Sequence, residues 1–163
     1  MAVIIVTGTP GTGKTSLAKA LAKKLKYKYI DVNQVVKKHK LKECYDKARD
    51  TYEVNEKKLS KALITIIKKG DYVIDSHMSH CLPKKYADRC IVTKCELKAL
   101  KKRLEKKGYS ASKVRENMDA EIFDICLNEA FEAGHKLLIV DTSRDKPEKI
   151  VQKLLWKSVI KSF

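Results

Sequence analysis

Val3-Ile-Ile-Val-Thr-Gly8-Thr-Pro-Gly-Thr-Gly13-Lys14-Thr15-Ser16 decides how this chain folds. A β-branched, apolar run leads straight into a glycine-punctuated turn. The turn leads into Leu17, Leu21 and Leu25, spaced as one face of a helix. Strand, tight loop and amphipathic helix therefore follow one another without a spacer. Residues 8–15 fit G-x-x-x-x-G-K-[ST] in that context. Glycines let the backbone curl until successive N–H groups point inward, and the helix starting near Lys14 aims the positive end of its dipole at the same point. Such a cradle suits a nucleoside triphosphate. Gly8, Gly11, Thr12, Gly13, Lys14, Thr15 and Ser16 form the expected binding set. Lys14 is placed to reach the β- and γ-phosphates, and the Thr15 hydroxyl to bind Mg²⁺.

A hard divalent cation needs a carboxylate beyond the loop. Asp75 closes the run Tyr72-Val-Ile-Asp75 and is the best-placed candidate. Asp31 and Asp141 also end apolar runs and are its rivals, although both suit a turn or a helix cap. His77 lies two residues past Asp75, so on an extended segment both side chains point the same way. There it fits either the orientation of a water or phosphate, or a structural hydrogen bond. His77, His80 and Cys81 also suggest a metal cluster, but the spacing lacks a second half.

Working outward, Val3–Thr7, Tyr29–Asp31, Tyr72–Asp75, Cys90–Thr93 and Leu137–Asp141 read as strands. Their runs are continuous rather than alternating, which predicts burial on both faces. Helical spacing marks Leu59/Leu63/Ile67 and Leu97/Leu100/Leu104. It marks one long helix through Val114, Met118, Ile122 and Ile125 up to Gly134, and a last helix after Pro147 through Ile150, Leu154 and Ile160. Strands joined by helical crossovers predict a parallel α/β sheet wound with helices. Lys40–Glu56 and Lys106–Lys113 resist the scheme, and insertions near strand ends of such a sheet usually hold ligands.

At 163 residues and 44% hydrophobic content, the chain suits one compact domain with a real core and excludes wholesale disorder. No apolar run approaches the roughly 18 residues a membrane helix needs. The start lacks the pattern of a signal peptide. Five cysteines without C-x-x-C spacing read as reduced thiols of a cytoplasmic protein. Thirty-six basic against twenty acidic residues leave a net charge of +16, which attracts polyanions or reflects solvated lysine faces. Nine basic and two acidic residues fall between Lys94 and Arg115, where phosphates of a nucleotide or of RNA could be met.

Taken together, these residues resemble the adenylate kinase isoenzyme 6 family, nuclear or archaeal ATPases also known as small ribosomal subunit maturation factors. The matching pieces are the loop at 8–15, Tyr45-Asp46, Asp75-Ser-His77, and Arg103-Leu-Glu-Lys-Lys-Gly108-Tyr109. Glu116-Asn117, Glu121-Ile-Phe123 and Lys146-Pro147-Glu148 complete them. The resemblance implies a single domain over 1–163 with the nucleoside monophosphate kinase fold: a five-stranded parallel core, a monophosphate-binding arm at about 30–53 and a lid at about 106–116. It implies that Lys14, Asp75, His77 and Arg103 are catalytic. Thr15 and Asp75 would hold Mg²⁺, Lys107 would meet phosphate, and Lys146 would sit by the adenine. Phosphoryl transfer between ATP and AMP, with intrinsic ATPase activity, follows as the implied reaction. The alternatives are an assembly ATPase with little kinase activity, or a kinase of another monophosphate or small metabolite. The implied partners are ATP, AMP, a platform protein of the small ribosomal subunit and ribosomal RNA, with no membrane. The chain departs from the family where Lys37 and Lys107 stand for arginines, since lysine keeps the charge but loses the bidentate fork.

Overall fold

The computed structural model describes residues 1–47, 51–78 and 81–156, and the backbone alone of Thr51. Every residue of strand β1 (Val3–Gly8) is buried, because side chains leave it alternately toward two helical layers. Ile4 and Val6 meet Leu17, Leu21 and Ala22 of helix α1 (Lys14–Leu25), together with Ile150, Val151 and Leu154 of α7 (Pro147–Trp156). Val3 and Ile5 face the opposite layer, built on Leu59, Leu63 and Ile67 of α3 (Glu56–Ile67) and Ala130 of α6 (Ile125–Glu132). This double cover is the physical reason the run Val3–Val6 is apolar without alternation; the strands Lys28–Asp31 and Leu137–Asp141, at the sheet edges, are only partly buried.

The sheet has five strands in the order β2-β5-β1-β6-β7, with β2 (Lys28–Asp31), β5 (Tyr72–Asp75), β6 (Arg89–Lys94) and β7 (Leu137–Asp141). All four pairings are parallel. Their register lines up Asp31 with Asp75, Val6 with Asp75, Gly8 with Thr93 and Lys94 with Asp141. The carboxyl ends of the strands therefore form one rim, and the loop after β1 sits in its middle. The five-stranded parallel α/β sheet expected from the apolar runs is present.

Three elements differ from the sequence expectation. The irregular stretch 40–56 holds an antiparallel hairpin of β3 (Lys42–Asp46) and β4 (Thr51–Val54), preceded by helix α2 (Val32–Lys38). Tyr45 and Tyr52 face each other across the hairpin with ring centroids 4.9 Å apart. The single long helix expected up to Gly134 is two helices, α5 (Ala111–Ile122) and α6. They part at Asp124, whose backbone is left-handed with φ 54° and whose carboxylate accepts from Lys94 Nζ at 2.5 Å. The break leaves Ile122 and Ile125 exposed. The basic stretch 106–113 runs from the end of α4 (Leu97–Lys106) through a short connection at 107–110 into the first turn of α5, with Gly108 at φ 75° and Ser110 capping α5 through the Lys113 amide. His80 and Ile160 lie outside the described residues.

Leu21 has no exposure and belongs to the α1 layer under the loop. Leu21→Ala is expected to destabilise the fold by about 2–5 kcal/mol. Urea denaturation followed by circular dichroism measures this, and a loss under 1 kcal/mol would contradict the packing described.

Candidate active site

The loop after β1 turns sharply, and two of its glycines have no room for a side chain. A Cβ on Gly8 would lie 2.2 Å from Thr93 Oγ1 and 2.7 Å from the Thr93 carbonyl oxygen. A Cβ on Gly11, at φ 90°, would meet Leu100 and Leu104 at 2.9 Å. Gly13 is left-handed and precedes α1, so the helix opens on Lys14, Thr15 and Ser16 with the amides of its first turn free for an anion.

The carbonyls of the same loop are secured by buried threonines. Thr12 Oγ1 donates to the Thr9 carbonyl at 2.7 Å, and Thr142 Oγ1 to the Thr12 carbonyl at 2.5 Å. Thr93 Oγ1 donates to the Thr7 carbonyl at 3.1 Å and lies 2.7 Å from Thr12 Oγ1. Thr12 is thus a residue of the loop's foundation, with its side chain turned inward.

Thr15 Oγ1 donates to Asp75 Oδ2 at 2.5 Å, and Tyr29 OH donates to the same oxygen at 2.9 Å. Asp75 is 5% exposed. Burial, and then the bond to Asp75, raise the Tyr29 phenol pKa above its usual value. Burial also pushes the Lys14 ammonium below the ordinary lysine pKa, while Asp75 pulls it back up. A hydroxyl and a carboxylate beside a phosphate cradle are hard oxygen donors, the set a Mg²⁺ ion prefers. The two rivals of Asp75 are otherwise engaged. Asp31 caps α2, accepting from the Asn33 amide at 2.8 Å. Asp141 accepts from the Ser143 hydroxyl and from its amide at 2.7 Å, and these bonds hold its pKa low.

Two cavities open along the rim. The first, about 550 Å³, is lined by Gly13, Thr15, Arg103, Lys107, Thr142 and Ile150 among others. Arg103 lies along its wall, donating to the Thr142 carbonyl at 2.7 Å and to Thr142 Oγ1 at 3.3 Å. The second, about 750 Å³, is lined by Asn33, Lys37, Tyr52, Val54, His77 and Met78 among others. Its walls come from α2, the hairpin and the segment just past Asp75. Gly8, Thr12, Asp75 and Lys146 are in neither lining, and the other expected residues divide between the two. Lys14, Thr15, Ser16, Arg103 and Lys107 line the first, and His77 and Lys37 line the second. Lys146 is exposed and outside the first cavity's lining, between its neighbours Asp145 and Pro147, which do line it. Cys81 is buried, and among the described residues no group of three His, Cys, Asp or Glu side chains could hold a metal ion. Sequence reasoning missed Tyr29 and Thr142. Tyr29 shares the face of its strand with Asp31, beside Asp75, which was the available signal.

A family profile described as "AAA domain" matches residues 4–124. Shikimate kinase from Acinetobacter baumannii, solved with shikimate, superposes with a TM-score of 0.71 over 100% of this chain and 96% of that one at 13% identity. Shikimate kinase from Bacteroides thetaiotaomicron gives 0.67 over 98% and 99% at 19% identity. At such identities the likeness concerns the fold. Fold, cradle and rim together define the class, an α/β P-loop fold of the nucleoside monophosphate kinase type. The relatives narrow it further. The adenylate kinase isoenzyme 6 homolog FAP7 of Saccharomyces cerevisiae is 36% identical over 91% of this chain and 76% of its own length. The adenylate kinase isoenzyme 6 homolog of Schizosaccharomyces pombe is 36% identical over 93% and 86%. The chain belongs to the adenylate kinase isoenzyme 6 family.

Gly11→Ala is expected to destabilise the protein by about 2–4 kcal/mol, since it combines a left-handed backbone with a core clash. Thermal unfolding reads the loss, and a melting temperature equal to wild type would contradict the close approach of α4 to the loop.

Proposed function

We propose that this enzyme transfers the γ-phosphoryl group of ATP to AMP, giving two ADP, and hydrolyses ATP when no acceptor is present. The observation that carries the reading is the Thr15–Asp75 bond. It ties the first helical turn of the cradle, which lines one cavity, to the strand end that leads into the other. A donor in the first cavity and an acceptor in the second meet over Lys14.

ATP is assigned to the first cavity, with its triphosphate on the amides of residues 8–16 and its base toward Thr142 and Ile150. Lys146 lies at the outer margin of the base site. Thr15 and Asp75 would hold Mg²⁺, which when bound supplies charge neutralisation on the phosphates. Lys14 and Arg103 stabilise charge on the transferring group, and Lys107 approaches it from the turn after α4. An AMP phosphate oxygen attacks the γ-phosphorus while the bond to the bridging β–γ oxygen breaks, and ADP leaves from both sides. The arm corresponds to about 30–53 and the lid to about 106–116, within one domain over 1–163. Lys37 and Lys42 line the acceptor cavity among the described residues, and lysine gives a point charge where arginine would clamp two oxygens. That weakens capture of AMP more than capture of ATP. His77, at the boundary of the second cavity, is assigned to orient the attacking water in hydrolysis.

A role in small-subunit assembly, through a basic ribosomal protein and with ribosomal RNA nearby, is the second reading. Its support is a reversal of charge. Between Glu116 and Glu132 the chain carries six carboxylates and no lysine or arginine, although its net charge is +16; Glu121 is buried and Asp124 is paired with Lys94, and Glu116, Asp119 and Glu132 are exposed. Phe123 and Phe131 stand 66% and 73% exposed in that stretch. An acidic stretch with exposed aromatic rings suits a basic protein partner. A cytoplasmic setting accords with five free thiols, of which the buried Cys81 and Cys90 are pushed up to about 12 by burial. Among the described residues no helix is long and apolar enough to cross a membrane.

Lys14→Ala is expected to lower turnover at least about 100-fold, because its charge is aimed at the transferring group. Chromatography of products from ATP with each nucleoside monophosphate in turn identifies the acceptor. ATP hydrolysis without AMP-dependent ADP would remove the kinase assignment. His77→Ala is expected to slow hydrolysis about tenfold or more while calorimetric ATP affinity stays within twofold. Parallel loss of both, with a lower melting temperature, would make His77 a structural residue.

A further inference from the structure

Asp75 and Glu121 are the two buried carboxylates among the described residues, and the phosphate site accounts for the first alone. Glu121 lies on the last turn of α5, 5% exposed. Its Oε2 accepts from the Thr9 hydroxyl at 2.7 Å, and its Oε1 from the Cys95 amide at 3.0 Å. Lys94 Nζ stands 3.1 Å from Oε1 and also donates to the Glu121 carbonyl at 3.0 Å. A negative charge behind an anion cradle opposes the anion, so its presence asks for a reason. Three donors converge on this carboxylate, and a carboxylate is the side chain that accepts from all of them without offering a donor of its own.

Thr9 is the second residue of the loop and 1% exposed. Its carbonyl accepts from both the amide and the hydroxyl of Thr12, at 3.1 and 2.7 Å. Its hydroxyl is the loop's tie to α5. We propose that Glu121 is a positioning residue for phosphoryl transfer, which fixes Thr9 against the end of β6 and so sets where the amides of residues 11–14 point. The inference rests on the loop being the nucleotide site. Of the residues that Glu121 bonds, Thr9 is the one that belongs to the loop, and displacement of a catalytic frame by about 1 Å can slow chemistry about 100-fold.

The test uses the full chain with Glu121→Gln, Thr9→Val, the double variant and Thr9→Ser. Steady-state kinetics vary ATP and AMP separately. Melting temperatures are read with and without Mg-ATP. In Glu121→Gln the added amide faces a donor it cannot accept from, and in Thr9→Val the hydroxyl is gone. Each single change is expected to lower kcat about tenfold or more, with KM for AMP within twofold. Each is expected to shrink the rise in melting temperature that Mg-ATP produces. The double variant falls within twofold of the worse single, because both break one bond, and Thr9→Ser regains most of what Thr9→Val loses. Losses that multiply in the double variant overturn the proposal. So does a lower melting temperature of the free protein with unchanged kcat and an unchanged Mg-ATP increment. Should Glu121→Gln not fold, Thr9→Val and Thr9→Ser decide it: equal activity in the two overturns it, and recovery in Thr9→Ser supports it. A wild-type protein that Mg-ATP does not stabilise overturns the nucleotide site, and this inference with it.

Discussion

A loop that turns its amides toward an anion must turn carbonyls the other way, into the protein. Buried carbonyls need donors. Here the donors are threonine hydroxyls brought from three directions: Thr12 within the loop, Thr93 from the end of β6 and Thr142 from just past the end of β7. These bonds explain why the sheet must be parallel and in this register. Pairing Gly8 with Thr93 and Lys94 with Asp141 delivers both outer threonines to the underside of the loop. The cradle is therefore a property of the whole carboxyl rim, and residues 8–15 could not hold this shape alone.

How far this was legible in the amino-acid order follows from range. The loop, its strand and its helix are contiguous, so Lys14, Thr15 and the glycines could be read directly. Asp75 was readable because an acidic residue closes an apolar run and parallel strands end together. Tyr29, Thr142 and Glu121 contact the site through pairings of 46, 130 and 112 residues in separation, for which no local periodicity exists. The hairpin was missed because its residues are largely exposed, so no apolar alternation marks it. Helix α2 was missed because Asp31 both ends β2 and caps the helix, leaving no loop between them. The break after α5 was hidden for a different reason. Ile122 and Ile125 continue a helical stripe, but Lys94 draws in Glu121 and Asp124 together and ends the helix there.

The same lysine shows how the charge of the molecule is arranged. Burial lowers the Lys94 pKa, but its bonds to Asp124 and Glu121 outweigh that, and it sits above the ordinary value. Lys14 has the opposite balance: burial prevails, Asp75 compensates in part, and Lys107 adds repulsion. One lysine is matched by carboxylates within the fold. The other is left short of negative charge, beside Arg103, Lys106 and Lys107 on the wall of a cavity. Burial strips the Lys14 ammonium of water and Lys107 repels it, and an anion placed beside them offsets both. The positive charge of the cradle is thus stored locally as unfavourable energy and released on binding. A surface lysine elsewhere on this +16 chain, already solvated, has little comparable to release.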